Sequence, residues 1–454
     1  MDTYKWLPVD TPSIMFSSLS TTKWGRTCRT VVVFKEVEID PQLLRQAVND
    51  LRGRFPHYFS KLRHGFFWNY LEQTEGEVEI RPENGRPGQP IVLHKDNRPG
   101  FRLVYDGRML ALESAHYISD GYGLLNFLLS LAQHYLELCG AVPAERDAGV
   151  YYWQDAPDAQ ETADEYIRYS QTDKEKKKPE HKKVYHFAPV YEKNCLRLLY
   201  FFADSEAVHA KAQSYRLSVT EFMTAACMLA AVRAAGNPIH APIVFDIPVN
   251  LRGYFSTTTL RNFVFQVSTV LPVDGRTDWT LAEIADCIRG QIKAQIKPED
   301  LRAILKNLTA LARNPVVGVI PNFIKNPVLR IMQAYSHAGE TGIITNLGNV
   351  KVSEALANQI DHLEAVNGDT SKYGLPTTCS SISFNGRFSF CVNTNNHDTR
   401  VWDELEKILR AEGIAVERRS SDETIPADRL SPAAPDNGKR APWCKERMRA
   451  YFHH

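Results

Sequence analysis

The sequence has no apolar run of about 18 residues or more, so it offers no helix able to span a bilayer. Its first residues, MDTYKWLPVD, lack the apolar stretch of a secretory signal, and a cytoplasmic location is expected. No CxxC pair occurs among the eight cysteines, which lie scattered from Cys28 to Cys444. That spacing argues against a zinc site, and without a signal it favours free thiols over disulfides. No local signature supports a Cys–His nucleophile. A charge excess is missing too: 54 Lys and Arg stand against 53 Asp and Glu, a net charge of +1. Such a balance implies no dedicated nucleic-acid or anionic-membrane surface, although it leaves room for a local patch.

The chain does have the length and composition of a large globular protein. Its 454 residues are 43% hydrophobic and 24% charged, which fits two domains of ordinary size. Arg29–Phe34 is a β-branched run suited to a buried strand. Asp40-Pro41 supplies a cap and a first-turn proline for a helix with Leu43, Leu44, Ala47, Val48 and Leu51 at helical spacing. Gly65–Leu71 reads as an aromatic-rich strand packed in the core. Phe101–Tyr105, Asp106-Gly107 and Met109–Ala115 read as a hairpin. The run Lys174–Lys183 reads as a solvated connector, with attraction of a phosphate-bearing cofactor or an acidic carrier as the alternative.

In the second half, Leu196–Phe202, Ile243–Val249, Phe263–Leu271 and Ile343–Thr345 are strand candidates, and Ile382–Asn393 folds at Asn385-Gly386 into a hairpin. A helix is expected over Ser205–Tyr215. Two capping boxes, Ser218–Glu221 and Thr280–Glu283, open helices running to Ala235 and to about Ile296. From Arg418 the Pro/Ser-rich, charged composition predicts a disordered tail. The expected division is 1–173, a connector at 174–183, 184–417, and the tail 418–454.

One heptad stands out: Ala115-His116-Tyr117-Ile118-Ser119-Asp120-Gly121. A histidine with an unperturbed pKa of about 6.5 suits proton abstraction near neutral pH. Asp120 would orient the loop, and Gly121 would let the backbone turn tightly. The same string also fits a surface loop with an Asx-type turn. Its setting favours the first reading, because a strand feeds directly into His116 and an apolar helix follows from Leu124 to Leu136.

With Pro248-Val249-Asn250-Leu251-Arg252 a half-chain later, the pattern resembles the superfamily of chloramphenicol acetyltransferase, peptide-synthetase condensation domains and alcohol O-acetyltransferases, with its bacterial alcohol acetyltransferase branch most similar. The likeness rests on RFPHYFSKLRHGFFWNYLE, HYISDG, PVNLRGYF…TLRNFVFQV and TNLGNV. It implies an α/β (α+β) fold of two subdomains in a V-shaped pseudo-dimer, with mixed sheets and flanking helices. It also implies that His116 is the general base, that Asp120 is structural and ion-paired, and that Arg252 is its partner. Acyl-CoA, with acetyl-CoA foremost, would be a co-substrate rather than a resident cofactor, and no metal is implied.

The acceptor would be an alcohol or amine. An acyl carrier protein as donor, and a non-catalytic ligand-binding relative, are the alternatives; a monomer is favoured. Two departures from the pattern are visible. Ala115 stands where condensation domains usually carry a first histidine, and no DFGWG string occurs. Oxyanion donors are sought among Thr377, Thr378, Ser380 and Ser381 and the pair Thr345-Asn346.

Overall fold

The computed structural model describes residues 6–20, 26–84, 87–89, 91, 97–142, 146, 150–171, 183–187, 197–369, 377–394 and 398–421. Most of the connector and all of the chain beyond 421 therefore lie outside the described residues.

Local sequence sets the elements that carry the site. Asp106-Gly107 closes the hairpin of Phe101–Asp106 with Met109–Ala115, and Gly107 takes φ +52°. Asp40 caps the helix Pro41–Asp50 by accepting from the N–H groups of Gln42 and Leu43. Helix Gly121–Leu138 is apolar on nearly every side and lies buried, with Leu124, Phe127, Leu128, Leu131 and Tyr135 in the first core. In the second half, Ser218 and Glu221 form a capping box for the equally buried helix Val219–Ala234. Asn385-Gly386, at φ 48° and 77°, turns Thr377–Phe384 into Arg387–Thr394.

These elements assemble into mixed sheets. A five-stranded sheet has the order Ile360–Asp369, Arg26–Phe34, Met109–Ala115, Phe101–Asp106, Glu79–Pro82. A seven-stranded sheet runs Val264–Leu271, Ile243–Asn250, Gly342–Asn349, Thr377–Phe384, Arg387–Thr394, Arg197–Asp204, Glu417–Ser420. The strands Trp6–Pro8, Asn69–Gln73 and Ser60–His64 form a small third sheet.

The edge strand Ile360–Asp369 belongs by sequence to the second half, yet it pairs antiparallel with Arg26–Phe34 of the first. Its Val366 also packs with Leu198, Tyr200, Phe202 and Cys391 of the seven-stranded sheet. The halves are thus tied by backbone as well as by side chains.

Inside the five-stranded sheet, Glu113 is fully buried and binds Arg29 at 2.8 Å and Arg102 at 2.6 Å. Burial alone would raise its pKa, but the two guanidiniums hold the carboxyl below its ordinary value.

Several expectations need correction. Gly65–Trp68 is not strand but the turn between Ser60–His64 and Asn69–Gln73, and Phe66 is 66% exposed. Four residues that must reverse the chain cannot also sit in the ladder. The helix expected to run from Thr280 to Ile296 is two, Leu281–Ile288 and Gln291–Gln295, because Gly290 adopts φ 77° between them. Arg418–Ser420, expected in the tail, is strand, held by pairing with Leu199–Phe201 and by Arg418 bound to Asp403 at 2.6 Å. Among the described residues, no single helix is long and apolar enough to cross a membrane.

Candidate active site

The loop His116–Asp120 is pinned between the strand Met109–Ala115 and the helix Gly121–Leu138. The His116 N–H donates to the Arg26 carbonyl at 3.0 Å, and its own carbonyl accepts from Asn262 Nδ2 at 3.1 Å. The imidazole stacks on Phe16 of the helix Thr11–Leu19, with ring centroids 4.2 Å apart. His116 is half-buried, while its Nδ1 is sealed from solvent and bonds no other residue. The accessible edge of the ring is therefore the Nε2 side. Burial, aided by the Arg26 charge, pushes the His116 pKa below its ordinary value, so the ring is neutral at pH 7. A neutral imidazole with an open nitrogen can accept a proton.

Asp120 is occupied differently. As the helix N-cap, its Oδ1 accepts from the Gly123 N–H at 3.1 Å and from Arg252 Nη2 at 3.3 Å. Oδ2 accepts from Arg252 Nη1 at 2.8 Å and from the Phe263 N–H at 2.9 Å. With both oxygens taken up and only 3% of the residue exposed, this carboxylate braces the loop and has no room to receive a substrate proton.

Arg252 is equally saturated. It donates to the carbonyls of Thr259 at 2.7 Å and Arg261 at 2.5 Å and lies 4.4 Å over the Tyr122 ring. The Asn250-Leu251-Arg252 turn thus gathers residues 259–263 around the start of the site helix. The Ser119 hydroxyl adds a bond to the Leu260 carbonyl at 2.5 Å.

The glycine's role differs from the sequence expectation. Gly121 is the first residue of the helix and is not among the residues with positive φ. What it provides is space, because a Cβ there would sit 2.8 Å from Leu347 of the second half. Gly123 is tighter still: a Cβ would lie 2.0 Å from the Leu260 carbonyl oxygen. Gly123→Ala should destabilise the protein by about 1–3 kcal/mol in urea unfolding. Gly53→Ala, with nothing within 4 Å, is the neutral control.

Sequence reasoning missed a second clamp. Asn262 Nδ2, which holds the His116 carbonyl, also donates to Asp10 Oδ2 at 3.2 Å and Ser13 Oγ at 3.1 Å. Asp10 is wholly buried and lies 3.4 Å from Arg261 Nε. It caps the helix that presents Phe16, accepting from the Ser13 N–H at 2.9 Å. The cap and first-turn proline of Asp10-Thr11-Pro12 were a legible helix start; its partnership with Asn262 was not.

For oxyanion donors, register narrows the field. Thr345 lies opposite Ser380, and Asn346 opposite Ser381. Ile344 and Cys379 point into the second-half core, so Thr345, Thr378 and Ser380 project from the other face. Leu347, on that face, packs against the first core. Thr378 donates to the Asn367 carbonyl at 2.6 Å, and Asn346 Nδ2 to Thr220 at 3.0 Å on the far face. Thr345 and Ser380 are the hydroxyls left facing the first half.

Among the described residues no cluster of His, Cys, Asp and Glu could hold a metal ion. The six cysteines described there are free thiols.

No family model and no curated protein matches the chain. Solved structures do. Polyketide synthase associated protein 5 from Mycobacterium tuberculosis aligns with 88% of this chain and 96% of its own, at 15% identity and a TM-score of 0.55. TRI3 trichothecene 15-O-acetyltransferase from Fusarium sporotrichioides covers 90% of this chain and 95% of its own, at 8% identity and 0.59. TRI101 from F. sporotrichioides, complexed with coenzyme A and T-2, covers 90% and 99%, at 12% identity and 0.56. At such identities the likeness speaks for architecture, and this chain has the pseudo-dimeric, chloramphenicol-acetyltransferase-like fold expected from its sequence.

Proposed function

We propose that the protein transfers an acyl group, acetyl foremost, from an acyl-CoA thioester to an alcohol. The observation that carries this reading is His116: a neutral, half-buried imidazole on a loop locked from both halves of the chain, with its Nε2 edge accessible. Its Nε2 takes the proton of the acceptor hydroxyl as that oxygen attacks the thioester carbonyl carbon. The C–O bond forms, the C–S bond breaks, and the imidazolium returns the proton to the departing thiolate. A thioester is already activated, so no acyl-enzyme is needed. Thr345 or Ser380 would donate to the oxyanion. The fold shared with TRI101, whose structure was solved with coenzyme A, supports the donor class, and the fold shared with TRI3, a 15-O-acetyltransferase, supports the alcohol acceptor.

A carrier-protein donor is the second reading. It is favoured by the likeness to the nonribosomal peptide synthetase FmoA3, which covers 91% of this chain and 44% of that one, at 13% identity and a TM-score of 0.56.

Free-thiol release is measured over a panel of alcohols and amines with acetyl-CoA, longer acyl-CoAs or a loaded carrier protein as donor. Acyl-CoA should support alcohol-dependent release. Release from the carrier alone would overturn the choice of donor, and transfer to amines alone the choice of acceptor. Tight ligand binding without turnover by any donor would favour a non-catalytic relative.

A further inference from the structure

The largest feature that acyl transfer leaves unused is an apolar surface. Among the described residues thirteen large apolar side chains are exposed, and seven of them lie between Val316 and Tyr335. In the helix Asn322–His337, Ile324, Val328, Met332 and Tyr335 follow i, i+4, i+8, i+11 spacing and form one solvent-facing stripe. The opposite side sends Leu329 into the core. Phe323, at the helix start, is 72% exposed, and Val316 and Val319 in the preceding turn are each 68% exposed.

The aromatic turn Gly65–Trp68 joins the same surface. The Asn322 N–H donates to the Phe66 carbonyl at 2.8 Å, and Asn322 Nδ2 donates to the Gly65 carbonyl at 2.7 Å. Phe66 and Phe323 therefore stand at one bonded junction. A soluble monomer rarely leaves an apolar surface of this kind without an occupant.

Charge indicates which occupant. From Leu301 to Gly339 the chain has not one Asp or Glu, in a protein whose net charge is only +1; its cations Arg302, Lys306, Arg313 and Arg330 are exposed or half-buried, while Lys325 is buried against Trp68. Arg302 and Arg313 are exposed. An apolar stripe within a stretch of chain that carries an excess of cations is the pattern that seats a helix in the headgroup region of an anionic bilayer. A second copy of the chain is a poorer fit, because a two-fold interface would set this cationic region against itself.

We propose that this face docks on the surface of an anionic phospholipid bilayer, with Phe323, Ile324 and Val328 inserting. The same helix ends at His337, whose Nε2 is bonded to the Arg26 guanidinium, and the Arg26 carbonyl holds the His116 N–H.

The test is sedimentation of the full chain with phosphatidylcholine vesicles, with and without phosphatidylglycerol. The protein should pellet with the anionic vesicles and be released by high salt. The triple variant Phe323→Ser, Ile324→Ser, Val328→Ser, checked for unchanged unfolding, should lose more than about tenfold in binding. Arg302→Gln with Arg313→Gln should lose the anionic preference. Absence of pelleting, or pelleting unaffected by the triple variant, would overturn the proposal. A concentration-dependent dimer that the triple variant abolishes, without vesicle binding, would assign the face to self-association instead. None of these readouts depends on acyl transfer.

Discussion

Asp120→Ala should destabilise the protein by about 3–5 kcal/mol, the range for leaving one member of a buried ion pair alone. The side chains of Asp120 and Arg252 are 4% and 7% exposed, so water does little to compensate a survivor. The substitution strips a partner from the Arg252 guanidinium, the Phe263 N–H and the Gly123 N–H together. The first two lie in the second half of the chain and the third in the site helix, so the loss loosens the clasp between the halves. Urea unfolding of Asp120→Ala, Arg252→Met and the double variant measures this as a cycle. The double variant should be markedly more stable than the sum of the single losses allows. Strict additivity would show that the pair is not a coupled brace.

His116→Ala should lower turnover by about 10²–10⁴, the usual contribution of a positioned general base, while leaving unfolding almost unchanged. The imidazole packs on Phe16 but bonds to no other side chain, so its loss opens space without orphaning a buried partner.

The pH dependence follows from the groups around the ring. Burial acts most strongly and Arg26 next, both lowering the pKa, while Asp120 and Asp10 pull it upward; the net shift is down. The base is therefore competent at neutral pH, and kcat/KM should fall only as pH drops through a value below about 6.5. Arg26→Met removes a cation from beside the ring, so the acidic limb should move to higher pH. An acidic limb at or above about 6.5 in the wild type would contradict this electrostatic account.

Much of this was legible because the informative residues are local. Asp106-Gly107 and Asn385-Gly386 announce their hairpins through backbone geometry that few other pairs adopt. The capping boxes at Ser218 and Thr280 mark helix starts in the same way. The strand into His116 and the apolar helix after Asp120 place the motif where it is found.

The illegible parts depend on contacts distant in sequence. Ile360–Asp369 alternates polar and apolar residues weakly, and its place beside Arg26–Phe34 is set by a partner more than 300 residues away. Asp10 and Asn262 meet across 252 positions, and no spacing rule links them. Gly121 was recognised as required, but for turning rather than for the Leu347 side chain that crowds it. Gly290, by contrast, sat in plain view inside an apolar periodicity that masked its helix-breaking backbone.

In the proposed reaction His116 is the base for direct transfer from acyl-CoA to an alcohol. That role is tested most directly by acceptor-dependent release of coenzyme A, measured side by side for wild type and for His116→Ala of matched stability. Release should rise with acceptor in the wild type and fall by about two to four orders of magnitude in the variant. Equal acceptor-dependent rates in the two proteins would contradict it.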